Sequence, residues 1–162
     1  MVSNISLNQF APNQPIDGLY VYMANEGQLH NVIISANQTD PLPAGAVVTL
    51  DQLSSNTHAP EVEACDPDGD MPFGIISYTP VQAQHVTGQR VGLAREHDVI
   101  WKKAEDAIAV GNVLTFTSDY TVKAANPGSG NSASTIGVAL TPAAAKGDFV
   151  QVELKFGIVT GA

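Results

Sequence analysis

The chain has 162 residues, of which 14% are charged, and its 16 acids against 7 bases give a formal net charge of -9. That length supports a real core in one domain, and a lone cysteine, Cys65, excludes an intramolecular disulfide as its staple. So few and scattered Lys and Arg exclude nucleic-acid binding, which needs bases to displace phosphate counterions. No apolar run approaches the ~20 residues of a membrane-spanning helix, which argues against a membrane partner.

The first 14 residues are rich in Asn, Gln and Ser, with Ile5, Leu7 and Phe10 as isolated apolar beads and Pro12 opposing helix. Neither the basic start nor the apolar run of a signal peptide is present, so synthesis in a cytoplasm is expected. A segment of this composition cannot offset its own ordering entropy. Residues 1–15 therefore read as an extended arm ahead of a single β domain over 16–162. The arm is either a frayed terminus or an attachment element, and in the second case Ile5, Leu7 and Phe10 are the candidate partner-binding residues.

From Leu19 to Met23 the chain is aromatic and β-branched, Asn25 to Gln28 supplies turn chemistry, and Asn31 to Ser35 resumes as a strand, which predicts a hairpin. A loop with Pro41 and Pro43 leads to the strand Ala44 to Leu50. An acidic excursion follows, with five acids between Glu61 and Asp70. Within it, Asp66-Pro67-Asp68-Gly69-Asp70 alternates oxygen ligands as a hard cation requires, but the EF-hand spacing fails: Gly69 comes too early and Ser77 stands where a bidentate Glu belongs. It reads as a solvated acidic turn, and no metal site is assigned. His58 and Cys65 share this excursion without a second Cys or a nearby second His, a weak basis for a nucleophile or a metal pair.

Val99-Ile100-Trp101 is a short strand holding the only tryptophan, which reads as core, with an interface hot spot as the alternative. Lys102 to Ile108 has the composition for one or two helical turns. The run Asn126 to Ser134 is a polar loop tip between strands. Val150, Val152, Leu154 and Phe156 then alternate with Gln151, Glu153 and Lys155, the signature of a strand with one face in a core. Ahead of that strand, Thr141 as N-cap, Pro142 at the first helical position, three alanines and Gly147 predict a helical turn. Thr79-Pro80 predicts another.

Two phrases occur twice in the same order. Ala44-Gly45-Ala46-Val47-Val48-Thr49-Leu50 parallels Val110-Gly111-Asn112-Val113-Leu114-Thr115-Phe116, and Phe73-Gly74-Ile75 to Pro80 parallels Ile136-Gly137-Val138 to Pro142. Gly88 and Gly147 each precede an alternating strand. The pattern predicts a degenerate duplication with halves at about 42–94 and 108–156, and a mainly β fold, a β-barrel or β-sandwich of eight to ten short strands with one or two helical turns.

No Gly-x-Ser-x-Gly elbow, P-loop, His-Glu-x-x-His or Cys-x-x-Cys occurs. His30, His58, His85 and His97 are dispersed, and no carboxylate pair stands out, so no catalytic residue and no cofactor are assigned. A small hydrolase using the acids of 61–70 with His58 would rest on composition alone.

The phrases at Leu42 to Leu50, Phe73 to Thr79, Ala107 to Thr115 and Ile136 to Glu153 resemble those of phage capsid decoration, or cement, proteins. The resemblance covers about residues 40–156, with the N-terminus and the acidic excursion as departures. It implies a virion protein on the capsid exterior that bridges capsid subunits, with the major capsid protein as partner and a homo-oligomer, trimer first and dimer second, as its state. The alternative is a β-rich binding module of a tail fibre or for host-surface carbohydrate, with Tyr20, Tyr22, Tyr78, Tyr120 and Trp101 as stacking surfaces.

Overall fold

A computed structural model describes residues 15–22 and 30–162, which carry thirteen strands and no helix. Strand β1 is Tyr20–Tyr22, β2 His30–Ile34, β3 Leu42–Pro43, β4 Val47–Leu50, β5 Glu61–Ala64, β6 Gly74–Ile76, β7 Gln84–His85 and β8 Arg90–Ala94. Beyond them come β9 Val99–Lys103, β10 Val113–Phe116, β11 Val122–Ala124, β12 Ser132–Ala139 and β13 Phe149–Thr160. Several span only two or three residues, which is why they exceed the eight to ten expected from alternation.

The duplication is visible in the pairing. In the first half β2, β8, β6, β4 and β5 are neighbours in that order and close into a barrel through the parallel pairs Ile33 with Glu61 and Ile34 with Val62. In the second half β9, β13, β12, β10 and β11 follow the same order in a curled sheet, and a parallel bridge between Ala104 and Val122 stands where the first half closes. The turns match bond for bond. Gly45 N–H donates to the Ile76 carbonyl at 2.8 Å, and Gly111 N–H to that of Ala139 at 2.8 Å. Gly88 donates to Ile34 at 2.8 Å, and Gly147 to Ala104 at 2.9 Å. All four glycines have φ between 80° and 93°, a left-handed conformation that side chains resist. The equivalence also reaches back to β2 and β9, ahead of the repeated phrases.

The expected hairpin of residues 19–35 does not form. β1 pairs with β9 as the edge of the second sheet, whereas β2 lies in the first barrel between β5 and β8. Both segments are apolar enough to pair with any core strand, and the partners were decided by which half each one completes. Nor do the helical turns form. Thr141 Oγ1 accepts the Gln151 N–H at 2.9 Å, a cross-connection to β13 that replaces a cap. Ala143 bridges Ile108, and the Asp148 carboxylate takes the Ala144 and Ala145 N–H groups at 2.9 and 3.0 Å. At Thr79 the chain makes a narrow reversal bridged to Gln82. Lys102 and Lys103 finish β9, and the residues up to Ile108 run as irregular chain.

Alternation places the core. One cluster fills the first barrel with Val32, Ile34, Val48, Val62, Ile76 and Leu93 among its members. The other fills the second half with Ile100, Leu114, Phe116, Val150, Val152 and Leu154, and it takes in Val47, Cys65, Ile75 and Ala94 from the outer face of the first barrel. The halves are therefore joined by the outside of one pressed onto the inside of the other. Each such aliphatic side chain, fully buried, contributes roughly 1.5 to 3 kcal/mol.

Candidate functional site

Ile5, Leu7 and Phe10 lie outside the described residues. The chain that follows them is anchored at Asp17, whose carboxylate accepts the Lys103 N–H at 3.1 Å and the Lys102 ammonium at 3.1 Å. Lys102 is fully buried and also donates to the Gly45 carbonyl of the first half at 2.6 Å. This tie between halves was invisible in the sequence, where Lys102 read as the start of a helical turn. Alternation with the buried Ile100 was the one available signal, because it places Lys102 on the inner face.

The acidic turn satisfies itself. Asp66 Oδ1 accepts the Asp68 N–H at 2.9 Å, and Asp70 Oδ2 accepts the Asp66 N–H at 3.0 Å. Among the described residues no three His, Cys, Asp or Glu side chains are grouped to hold a metal ion. Cys65 is buried at the junction of the halves, and burial, reinforced by the charges of Asp70 and Asp66, pushes its thiol up to about 12. It is a protonated core side chain, whereas His58 stands exposed on the excursion. His85 is buried on β7 and His97 is exposed, so the structure separates these three histidines as their spacing suggested.

A polar groove of about 1050 Å³ lies between the acidic turn and the loop at residues 126–133. Its described lining holds Asp66, Asp68 and Lys123 among hydroxyl and amide side chains, with no His or Cys. It offers hydrogen bonds to a partner surface and assembles no nucleophile with its base.

The outer face of the second sheet carries exposed and half-buried apolar side chains. Period-2 alternation with the buried Ile100, Leu114 and Val152 turns Val99, Trp101, Val113 and Glu153 outward. Register sets Val99 beside Glu153, Glu153 beside Val138, and Val138 beside Val113. In the next row Trp101 faces Gln151, which bonds Leu140. Val113 is 44% exposed and Leu140 41%, while Trp101 is half-buried on this face and takes no part in either core cluster. The core placement expected for Trp101 is thus corrected. A short strand with one apolar face inside and another outside gives no sequence cue to which is which.

Lysines border the stripe: Lys103 opposite Phe149 on one side and, on the other, Lys123 opposite Thr115 and the exposed Lys155, two residues beyond Glu153 on β13. His97 approaches Glu153 at 4.0 Å. At the inner edge Tyr20 packs against the core, and burial followed by the charge of Asp98, with a hydrogen bond from Ser77 opposing, pushes its phenol up to about 12. Its role is packing.

Comparison with curated proteins finds no match. The family model for phage cement protein matches residues 26–154, a span that contains every strand of the first barrel and all of the second sheet except β1 and the end of β13 beyond Leu154. With that match over most of the chain, on a mainly β fold whose two halves repeat one strand order, the chain belongs to the phage cement protein family, a structural family associated with the virion capsid.

Proposed function

We propose that this protein binds the outside of a phage head, contacts the major capsid protein and stabilises the shell by bridging neighbouring capsid subunits. The observation that carries the reading is the cement-family match across both halves. Physically, a protein seated over a seam adds contacts that must be lost before two subunits separate, and many identical sites multiply a modest affinity. A homo-oligomer fits this role, trimer first and dimer second, since closed cyclic assemblies coincide with local symmetry axes of a shell. Synthesis in the host cytoplasm and a role without catalysis belong to the same reading. Mass spectrometry of purified particles should find the protein in many copies per head, and binding to expanded, undecorated heads should saturate. Absence from particles, or only a handful of copies, would end the proposal.

A further inference from the structure

We infer that the outer face of the second sheet is a head-to-tail docking site for the first half of another copy of this chain. The inference refines the homo-oligomer proposed above and rests on that part of the reading.

The duplication supplies the precedent. Val47, Ile75, Ala94 and Cys65 on the outer face of the first half correspond, through the shared pairing and turn bonds, to Val113, Val138, Glu153 and Ala125 in the second. The first set is buried in the same cluster as Ile100, Phe116 and Leu154. The second set is left open, with Val113 at 44% exposure on the face that also carries Leu140 and, on the far strand β9, Trp101. Among the described residues, one outer face of this repeated fold has found its inner rim, and its duplicate has none.

Charge selects the occupant. Residues 30–98 hold nine acids and two arginines, whereas residues 99–162 hold five acids and five lysines. The exposed stripe is bordered by Lys103, Lys123 and Lys155. On the first half, at the rim corresponding to the one that covers Val47 and Ile75, lies a groove of about 360 Å³ lined by Leu50, Met71 and Phe73 together with Glu63 and Asp70. Met71 is half exposed there. Burial and the neighbouring charges of Asp51 and Asp70 push the Glu63 carboxyl above its ordinary range, a crowding that an incoming ammonium relieves. A stripe of Val99, Val138 and Val113, with Glu153 in its row and lysines at its edges, thus meets an apolar groove edged with acids. The contact joins different patches on the two copies, so repeating it closes a ring where the rotation allows.

Sedimentation of the whole protein across a concentration series, at low and high salt, tests this. Wild type should associate, less strongly as salt rises. Val113→Asp, and separately the pair Lys103→Glu with Lys155→Glu, should each weaken association at least tenfold while leaving the thermal midpoint near wild type. Adding Glu63→Lys to the lysine double variant should restore association, and failure to restore it overturns the pairing of these two surfaces. A monomeric wild type, or unchanged association in Val113→Asp, overturns the inference outright. Head binding is measured in parallel. If Val113→Asp associates normally yet no longer binds heads, the face is a capsid contact and self-docking is rejected. If wild type associates as described but never binds heads, the inference stands and the capsid role falls.

Discussion

Lys102 occupies, on β9, the position that Val32 holds on β2 in the first half, opposite Val150 as Val32 is opposite Val91. A buried ammonium there is costly to desolvate, and the cost is offset by the Asp17 carboxylate and the Gly45 carbonyl. Removing the partner should hurt more than removing the charge. Asp17→Ala, which leaves the ammonium buried with one carbonyl, is expected to cost about 3 kcal/mol. Lys102→Met, which leaves an acceptor unpaired but fills the space, should cost about 1 to 2 kcal/mol. Urea denaturation of both variants checks the order, and the reverse order would show that the pair is not the tie between halves. His85 gives a second test. Its Nε2 is buried without a hydrogen-bond partner among the described residues, and burial lowers its pKa. The unfolded imidazole takes a proton near pH 6.5 while the folded one resists it, so stability is full above that pH and falls as pH drops through and below it. In His85→Phe the loss of stability between pH 7 and pH 5 should be smaller than in wild type, and an equal loss in both would acquit His85.

At the scale of elements, β12 and β13 form the longest pairing, and a register shift between Thr135 and Gly137 bends it. Gly137 lies where β13 comes closest, since a Cβ there would sit 2.1 Å from the Glu153 carbonyl oxygen. At its counterpart Gly74 the nearest atom is the movable end of Leu93, at 2.9 Å. Backbone cannot yield as a leucine methyl can. Gly137→Ala should therefore destabilise by about 3 kcal/mol or more, at the upper end of overpacking costs, and Gly74→Ala by only about 1 kcal/mol. Thermal melts of the two variants measure the gap, and equal shifts would mean that β13 relaxes freely. The same pair of strands shows how local signals are overridden. Thr141 has the chemistry of an N-cap, yet its hydroxyl is taken by Gln151 of β13, and the alanines after it are held by Asp148.

For the whole molecule, the proposed role on a head turns on attachment. The Asn- and Gln-rich composition of residues 2–14, with Ile5, Leu7 and Phe10, suits a segment that stays in solution when free and offers pocket-filling side chains to a surface. Deleting residues 2–14 should spare the fold, because Asp17 and the strands that follow carry their own partners. The same deletion should weaken head binding at least tenfold, or ~1.4 kcal/mol. A truncated protein that binds heads with wild-type affinity would remove the arm from the attachment surface. The net charge of -9 also divides unevenly between the halves, which ties any self-association to ionic strength and distinguishes it from purely apolar packing.

What the sequence determined by itself is the mainly β class, the inner and outer faces of the strand at 150–156, and the duplication carried by the Gly-x-Val and Thr-Pro phrases. These are legible because side-chain direction in a strand has a period of two, and because a left-handed turn favours glycine wherever it recurs. The choice of partners was decided only in three dimensions. Val47 and Val113 stand in matching phrases, yet one is sealed between the halves and the other faces outward. Trp101 stands on an outer face, Lys102 is buried, and β1 joins β9 although β2 is nearer in the chain. Alternation tells which side chains share a face, but an apolar face is the same in sequence whether it meets its own chain or another. That distinction comes from how the two halves, once folded, fit against each other.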